Sequence, residues 1–267
     1  MEQNNPKSKQ QHHIRSVDET QTAVPPLRQQ QPTIQYSSTA ILNIHPKELA
    51  KNRIISGFSD QQTLAEYNIL RTRVLQRLRA NNWNTLAITS ASPGAGKTLT
   101  AINLAISLAR EVNHTVMLVD LDLRKPNVAR TFNCAPPYGI LDYWRDDVPL
   151  DEILFNPGIE RLVILPGTRP VHNSSEILSS PKMVNLVNEL RTRYASRIII
   201  FDLPPVLVSD DVLAFSPYVD AMLLVIEDGQ TRKDELHHTM ELMSDINILG
   251  TVLNKSKDKT SPYYYYY

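Results

Sequence analysis

The sequence contains one cysteine, Cys134, among its 267 residues. An intramolecular disulfide is therefore impossible, which is typical of a protein from a reducing compartment. The chain also lacks an uninterrupted apolar run of about 18 residues, the length that a membrane-spanning helix needs. Its first residues are polar and rich in glutamine, unlike those of a signal peptide. These absences predict a cytoplasmic protein.

An excess of charge of either sign is missing too, because 28 Lys and Arg residues balance 28 Asp and Glu residues. Dedicated nucleic-acid-binding domains are usually basic, so no nucleic-acid partner is expected. Residues 1–45 carry Gln and Pro clusters without a helical or strand period, which predicts a disordered segment. Residues 46–255 are expected to form the folded domain, and residues 256–267 a flexible, tyrosine-rich tail.

The folded part alternates apolar runs with helical stretches. A helix is expected to begin after Asp60, a suitable N-cap residue. Strands are predicted at residues 85–89, 115–120, 162–165, 197–202, 221–226 and 250–254, and helices at 97–111, 182–194 and 233–243. Several strands are continuous apolar runs, typical of a parallel sheet that is buried on both faces. The fold class predicted is α/β, with a doubly wound, mostly parallel sheet flanked by helices.

Residues 91–98 lie between the first of these strands and a helix and read Ala-Ser-Pro-Gly-Ala-Gly-Lys-Thr. This pattern predicts a phosphate-binding loop, although Ala91 stands where the strict pattern has Gly. Backbone N–H groups and the helix N-terminus would face the phosphates of a nucleoside triphosphate. Lys97 is expected to reach the β- and γ-phosphates, and the Thr98 hydroxyl to bind Mg²⁺. The alternative is a plain glycine-rich turn. The predicted nucleotide-binding residues of the loop are Ser92, Pro93, Gly94, Ala95, Gly96, Lys97, Thr98 and Leu99.

Two apolar strands end in an acid. Asp120 closes one of them and is followed by Asp122, and Asp202 closes another. A carboxylate at such a strand end can hold Mg²⁺ directly or through its waters, whereas the plainer alternative is that it caps the following turn or helix. With a phosphate-binding loop in the same chain, Asp120 and Asp202 are predicted to belong to a metal site suited to phosphoryl transfer.

Residues 55–255 resemble the bacterial tyrosine kinases of exopolysaccharide and capsule synthesis. Residues 92–98 resemble their Walker A motif, residues 118–126 their Walker A′ motif and residues 198–205 their Walker B motif. Residues 67–72, 175–180 and 250–254 resemble a helix upstream of the loop, a segment between the last two motifs, and the strand whose final Asn reads adenine.

The resemblance implies a P-loop tyrosine autokinase that uses ATP and Mg²⁺. Lys97, Asp120, Asp122 and Asp202 would be its catalytic residues, with Thr98, Asp120 and Asp202 at the metal. Asn254 would contact adenine. The implied partners are a membrane-embedded polysaccharide co-polymerase (a chain-length regulator) as activator, a cognate tyrosine phosphatase and other copies of the chain. The protein would then be recruited to the inner face of the plasma membrane.

Two departures from related motifs bear on this interpretation. Partition and division-site ATPases carry a signature Lys early in the loop, where Ser92 stands here, and this favours the kinase branch. The kinase helix usually carries a Glu-x-x-Arg-x-x-Arg pattern for ring assembly, of which Arg71 matches the last Arg while Asn68 replaces the first. The implied oligomer is therefore in doubt. A positioning-type ATPase and a non-enzymatic nucleotide-sensing scaffold remain alternatives.

The last five residues are all tyrosine. The kinases that this chain resembles end in a tyrosine cluster that they phosphorylate. We therefore predict that Tyr263, Tyr264, Tyr265, Tyr266 and Tyr267 are phosphoacceptors, mostly on a neighbouring protomer. Alternatives are a membrane-touching or self-associating aromatic tip, or an artificial addition. The nine residues from Asn254 to Tyr263 span at most about 30 Å, which leaves open whether the tail can reach its own site.

Overall fold

The computed structural model describes residue 1 and residues 39–42, 44–57, 59–194 and 196–256. Within these residues one sheet has the strand order β1-β4-β5-β3-β6-β2-β7-β8. Only β4 and β5 pair antiparallel, and every other neighbouring pair is parallel. The strands are β1 (Ala40–Ile41), β2 (Thr85–Ser90), β3 (Thr115–Asp120), β4 (Phe155–Asn156), β5 (Leu162–Leu165), β6 (Arg197–Asp202), β7 (Ala221–Glu227) and β8 (Ile248–Asn254).

Helices cover both faces of this sheet. They are α1 (Pro46–Lys51), α2 (Gln61–Asn81), α3 (Lys97–Ala109), α4 (Val128–Thr131), α5 (Ile140–Asp146), α6 (Leu150–Ile153), α7 (Ser174–Leu178), α8 (Pro181–Thr192), α9 (Asp211–Phe215) and α10 (Lys233–Leu242), with a 3₁₀ turn at Ser216–Tyr218. One core layer contains Val74 of α2 and Ile102 of α3, and the other contains Leu186 of α8 and Phe215 of α9. The doubly wound α/β prediction is thus confirmed. None of the described helices combines the length and apolarity needed to cross a membrane.

The predicted elements agree with the structure to within two residues at each end. Strands β3, β5 and β6 have the predicted bounds. Helix α2 begins where expected, because the Asp60 carboxylate accepts a hydrogen bond from the backbone N–H of Thr63 at 2.8 Å. One boundary was wrong: β1 pairs with β4 from Ala40 onward, so the sheet begins inside the segment predicted to be disordered. Residues 2–38 and 257–267 lie outside the described residues.

The sheet order brings three chain segments together at one edge. Strand β6 lies between β2 and β3, so the loop after β2 and the ends of β3 and β6 are neighbours. The register of β3 and β6 places Asp120 directly opposite Asp202. Ligands of open α/β sheets bind at the carboxyl ends of the strands, and this edge is therefore the place to look for a site.

Candidate nucleotide and phosphoryl-transfer site

The loop between β2 and α3 has the backbone of a phosphate cradle. Gly94 and Gly96 have φ angles of +89° and +91°, a left-handed conformation that residues with a Cβ adopt at a cost. Ala91 is not among the described residues with positive φ, which explains why Ala is accepted where the strict pattern has Gly. The N–H of Leu207 donates to the Ala91 carbonyl at 3.1 Å and ties the loop to the segment after β6.

Lys97 and Thr98 open helix α3 and face the acids at the strand ends. The Lys97 ammonium lies 2.8 Å from an Asp122 oxygen and 3.3 Å from an Asp202 oxygen. The Thr98 hydroxyl donates to the other Asp202 oxygen at 2.6 Å. The structure thus brings the predicted Lys, Thr and two of the three predicted acids into direct contact.

The third acid, Asp120, is fully buried and has two roles. Its Oδ2 accepts hydrogen bonds from the N–H groups of Asn127 and Val128, both at 2.9 Å, and so caps the start of α4. Its Oδ1 is buried without a hydrogen-bond partner among the described residues. The capping interpretation of a strand-end acid therefore holds for one oxygen, while the other is left for a ligand.

Burial dominates the electrostatics of this cluster. Burial raises the pKa of Asp120 to about 8, and the neighbouring Asp202 carboxylate adds to the rise. Burial also raises the pKa of Asp202. For Lys97, burial lowers the pKa, but the charges of Asp202 and Asp122 outweigh it, so the net shift is upward. Lys97 stays protonated, and without a ligand Asp120 is mostly protonated at neutral pH.

The donor set suits Mg²⁺ bound partly by a ligand. No three of the described His, Cys, Asp and Glu side chains are grouped closely enough to hold a metal by themselves. Mg²⁺, however, is usually bound by one or two carboxylates together with waters and substrate phosphates. The Thr98–Asp202 oxygen pair and the unpartnered Oδ1 of Asp120 are donors of that kind.

Two cavities flank the loop. The smaller, of about 370 Å³, is bordered by Lys97, Thr98 and Asp122 and is called the phosphate side below. The larger, of about 820 Å³, is bordered by Tyr67 of α2 and by Asn254 at the end of β8, and is called the nucleoside side. Gly96 and Leu99 border both cavities, so the loop separates them.

Asn254 lies on the nucleoside side but its amide is already engaged. The Nδ2 atom donates to the Ala95 carbonyl at 2.7 Å, and a Cβ added at Gly96 would come within 2.2 Å of it. Next to it, Lys255 donates to the Gly94 carbonyl at 2.8 Å and pairs with Glu227 at 2.9 Å. A contact between Asn254 and adenine stays a prediction. The structure shows in addition that the Asn254 side chain attaches the end of β8 to the loop.

Other sequence predictions fall outside the site. The five terminal tyrosines lie beyond the described residues. Arg71, the remaining Arg of the ring-assembly pattern, donates to the Ser107 carbonyl at 3.3 Å and thus fastens α2 to α3 within the same chain. No role of its own was predicted for Arg124, which borders the phosphate side and pairs with Asp211 at 3.6 Å. Its signals in the sequence are its place two residues after Asp122 and within residues 118–126, the segment that resembles Walker A′.

Residues 86–263 match the CobQ/CobB/MinD/ParA nucleotide binding domain (CbiA). Together with the loop geometry, this match defines a nucleotide-binding P-loop protein. Tyrosine-protein kinase YwqD from Bacillus subtilis (strain 168) is 31% identical over 204 residues, which cover 75% of this chain and 85% of YwqD. The chain therefore belongs to the bacterial tyrosine kinases within this P-loop family.

Two further relatives extend the comparison. The crystal structure of the VpsO kinase domain superposes with a TM-score of 0.66 at 30% identity and covers 75% of this chain and all of that domain. The succinoglycan biosynthesis transport protein ExoP from Rhizobium meliloti (strain 1021) is 31% identical over 194 residues. That match covers 68% of this chain and 23% of ExoP, so the chain corresponds to a part of the longer protein.

Proposed function

We propose that the chain is an ATP- and Mg²⁺-dependent protein tyrosine autokinase that phosphorylates its terminal tyrosines. One observation carries the proposal: Lys97 lies between Asp122 and Asp202, and Thr98 donates to that same Asp202. Phosphoryl transfer depends mainly on positioning and on neutralisation of charge, and this set of side chains can supply both. The similarity to YwqD supports transfer to tyrosine rather than to water.

Each residue has a role that follows from its position. The loop N–H groups and Lys97 bind the phosphates, while Thr98 and Asp202 hold Mg²⁺, which neutralises phosphate charge when bound. Asp120 is the candidate to accept the proton of the tyrosine hydroxyl. A general base needs a carboxylate oxygen that is free to take the proton, and the Oδ1 of Asp120 has no hydrogen-bond partner among the described residues. Asp122 keeps the Lys97 ammonium in the site.

The decisive experiment is to incubate the purified protein with Mg-ATP and to sequence its C-terminal peptide by mass spectrometry. We expect phosphate on Tyr263, Tyr264, Tyr265, Tyr266 or Tyr267. Replacing all five with Phe should remove most of the phosphotyrosine. The matched control is the same change at two exposed tyrosines of the folded part, Tyr138→Phe and Tyr194→Phe, which should leave the signal intact. Persistence of the signal in the tail variant would refute the proposed acceptor.

A positioning-type ATPase is the second candidate, because the matched domain family also includes MinD and ParA. Ser92 counts against it, since a Ser cannot supply the positive charge of the signature Lys of those ATPases. The same incubation separates the two functions. ADP release without phosphotyrosine on any residue would favour the ATPase.

We further propose that the kinase acts in exopolysaccharide or capsule synthesis and export. ExoP is named a succinoglycan biosynthesis transport protein, and its similarity supports this setting. A membrane-embedded co-polymerase would activate the kinase and hold it at the inner face of the plasma membrane. A tyrosine phosphatase would reverse the modification, and other copies of the chain would supply acceptor tails.

A further inference from the structure

A buried polar group lies beside the phosphate side and has no role in the mechanism given above. Asp211, at the start of α9, is fully buried, and its Oδ1 accepts a hydrogen bond from the buried hydroxyl of Ser174 at 2.8 Å. Its Oδ2 accepts no hydrogen bond among the described residues. Isolated buried carboxylates are costly, so this one needs a cationic partner.

That partner is Arg124, in the loop after β3. Its Nε lies 3.6 Å from Oδ2 of Asp211, and its guanidinium is 3.9 Å from the exposed Asp210. Both distances exceed a hydrogen bond, so the two carboxylates attract the guanidinium without taking up its N–H donors. The side chain is 36% exposed and borders the cavity that also contains Lys97. The carboxylates of Asp210 and Asp211 thus attract one side of the Arg124 guanidinium, and its N–H donors remain available to the cavity.

The residues of this site supply little positive charge for a ligand. The buried carboxylates of Asp122 and Asp202 share the single ammonium of Lys97, and Asp120 would add a third negative charge when it ionises beside Mg²⁺. Mg²⁺ would offset the rest of this negative charge, leaving little positive charge for the phosphates beyond the loop N–H groups. A guanidinium binds phosphate oxygens with two parallel hydrogen bonds and is suited to this task.

We propose that Arg124 binds the terminal phosphate of the nucleoside triphosphate, and that Asp211 and Ser174 are positioning residues that hold Arg124 at the cavity. The inference rests on the proposed function, because it assumes a triphosphate at the phosphate side. It adds a residue that distinguishes triphosphate from diphosphate. Loss of a charge-assisted contact of this kind corresponds to about a tenfold change in affinity.

The test is equilibrium binding of a non-hydrolysable ATP analogue and of ADP, each with Mg²⁺, to the full chain. Arg124→Gln should weaken binding of the ATP analogue about tenfold and leave ADP binding nearly unchanged. Arg124→Lys should recover part of the loss, because it keeps the charge without the planar fork. An unchanged ratio of the two affinities in Arg124→Gln overturns the proposal.

Asp211→Asn and Ser174→Ala test the positioning role. Each should shift the affinity ratio in the same direction by about threefold, while ADP binding reports that the site is still folded. The matched control is Asp210→Asn, the same change at the neighbouring exposed carboxylate, where a surface ion pair contributes little. A fall in melting temperature with an unchanged ratio would mean that Asp211 is merely structural and would overturn this part.

The ratio of the affinities for the ATP analogue and for ADP also tests this inference separately from the proposed kinase activity. A wild-type chain that binds nucleotide but forms no phosphotyrosine refutes the kinase, and the affinity ratio still decides the role of Arg124. If the wild-type chain forms phosphotyrosine but Arg124→Gln leaves the affinity ratio unchanged, the kinase function stands and the role of Arg124 is refuted.

Discussion

The phosphate side and the nucleoside side of the loop are built in different ways. On the phosphate side, Asp120 and Asp202 end two interior strands and are fully buried. On the nucleoside side, Asn254 ends the edge strand β8, and the adjacent Leu253 is 59% exposed. The contrast shows how this fold divides its tasks. The acids that are predicted to act on the phosphates lie on buried strands, while Asn254, which is predicted to contact adenine, lies on an edge that water reaches.

The largest expected effect tests this contrast with one substitution on each side. Lys97→Met removes a buried ammonium between two carboxylates, and we expect at least about a 100-fold loss of phosphotyrosine formation. Lys255→Met removes a half-exposed ammonium whose contacts with Glu227 and with the Gly94 carbonyl of the loop are open to water, and we expect less than about a threefold change. Initial rates with Mg-ATP and melting temperatures of both variants provide the comparison. Similar losses in the two would mean that the two sides do not differ as described.

The next effect is expected at Gly96, where the two sides meet. Gly94→Ala and Gly96→Ala both introduce a Cβ at a positive φ, which costs about 1–2 kcal/mol in the free energy of unfolding. Only the Cβ at position 96 also collides with the Asn254 amide, so Gly96→Ala should lose about 1–3 kcal/mol more. Urea unfolding without nucleotide measures both.

The collision itself can be checked with a second substitution. Asn254→Ala removes the amide, so adding it to Gly96→Ala should return the stability to about that of Gly94→Ala. If the double variant is no more stable than Gly96→Ala, the collision with the Asn254 amide is not the cause of the extra loss of stability at position 96.

The smallest effect is a pH dependence confined to the phosphate side. The pKa of Asp120 rises from 3.8 to about 8 on folding, so the folded state holds a proton that the unfolded state has lost over that range. The stability from this group is therefore present below pH 4 and is lost as the pH rises through 8. Asp120→Asn keeps an oxygen for the two N–H groups of α4 and has no such loss. Without metal and nucleotide, the stability of Asp120→Asn relative to the wild type should therefore be higher at pH 9 than at pH 5, because only the wild type loses stability between these pH values.

Thermal unfolding at the two pH values measures this difference. Asp146→Asn, the same change at the exposed end of α5, is the matched control, and its stability should differ from that of the wild type by the same amount at pH 5 and pH 9. An equal effect of Asp120→Asn at pH 5 and pH 9 would contradict the burial-driven shift.

The interior of the fold was predictable because its signals are local. The apolar runs of β3, β5 and β6 gave the correct bounds, since a strand buried on both faces needs apolar residues throughout. Strands β1 and β4 have two residues each, which is too short to show a period. They form through pairing, β1 with β4 and β4 also with β5, and these tertiary interactions leave no local pattern in the sequence.

The same distinction holds for the site. Lys97, Thr98, Asp120 and Asp202 follow from a loop motif and from acids at strand ends, so the sequence indicates them. The ion pair between Arg124 and Asp211 depends on how two distant loops pack, as does the position of Asn254 beneath Gly96. The sequence therefore predicts which side chains would carry the chemistry, but not which neighbours hold them in place.

The register that sets Asp120 opposite Asp202 has an evolutionary consequence. Two buried acids lie on adjacent strands, and Asp120→Asn is expected to stabilise the protein when metal and nucleotide are absent, so folding alone would favour mutation toward Asn at that position. If the proposed activity is retained, selection would therefore have to act continuously against this gain in stability. A lineage that no longer needs the reaction should lose the acid at position 120 while its fold becomes more robust.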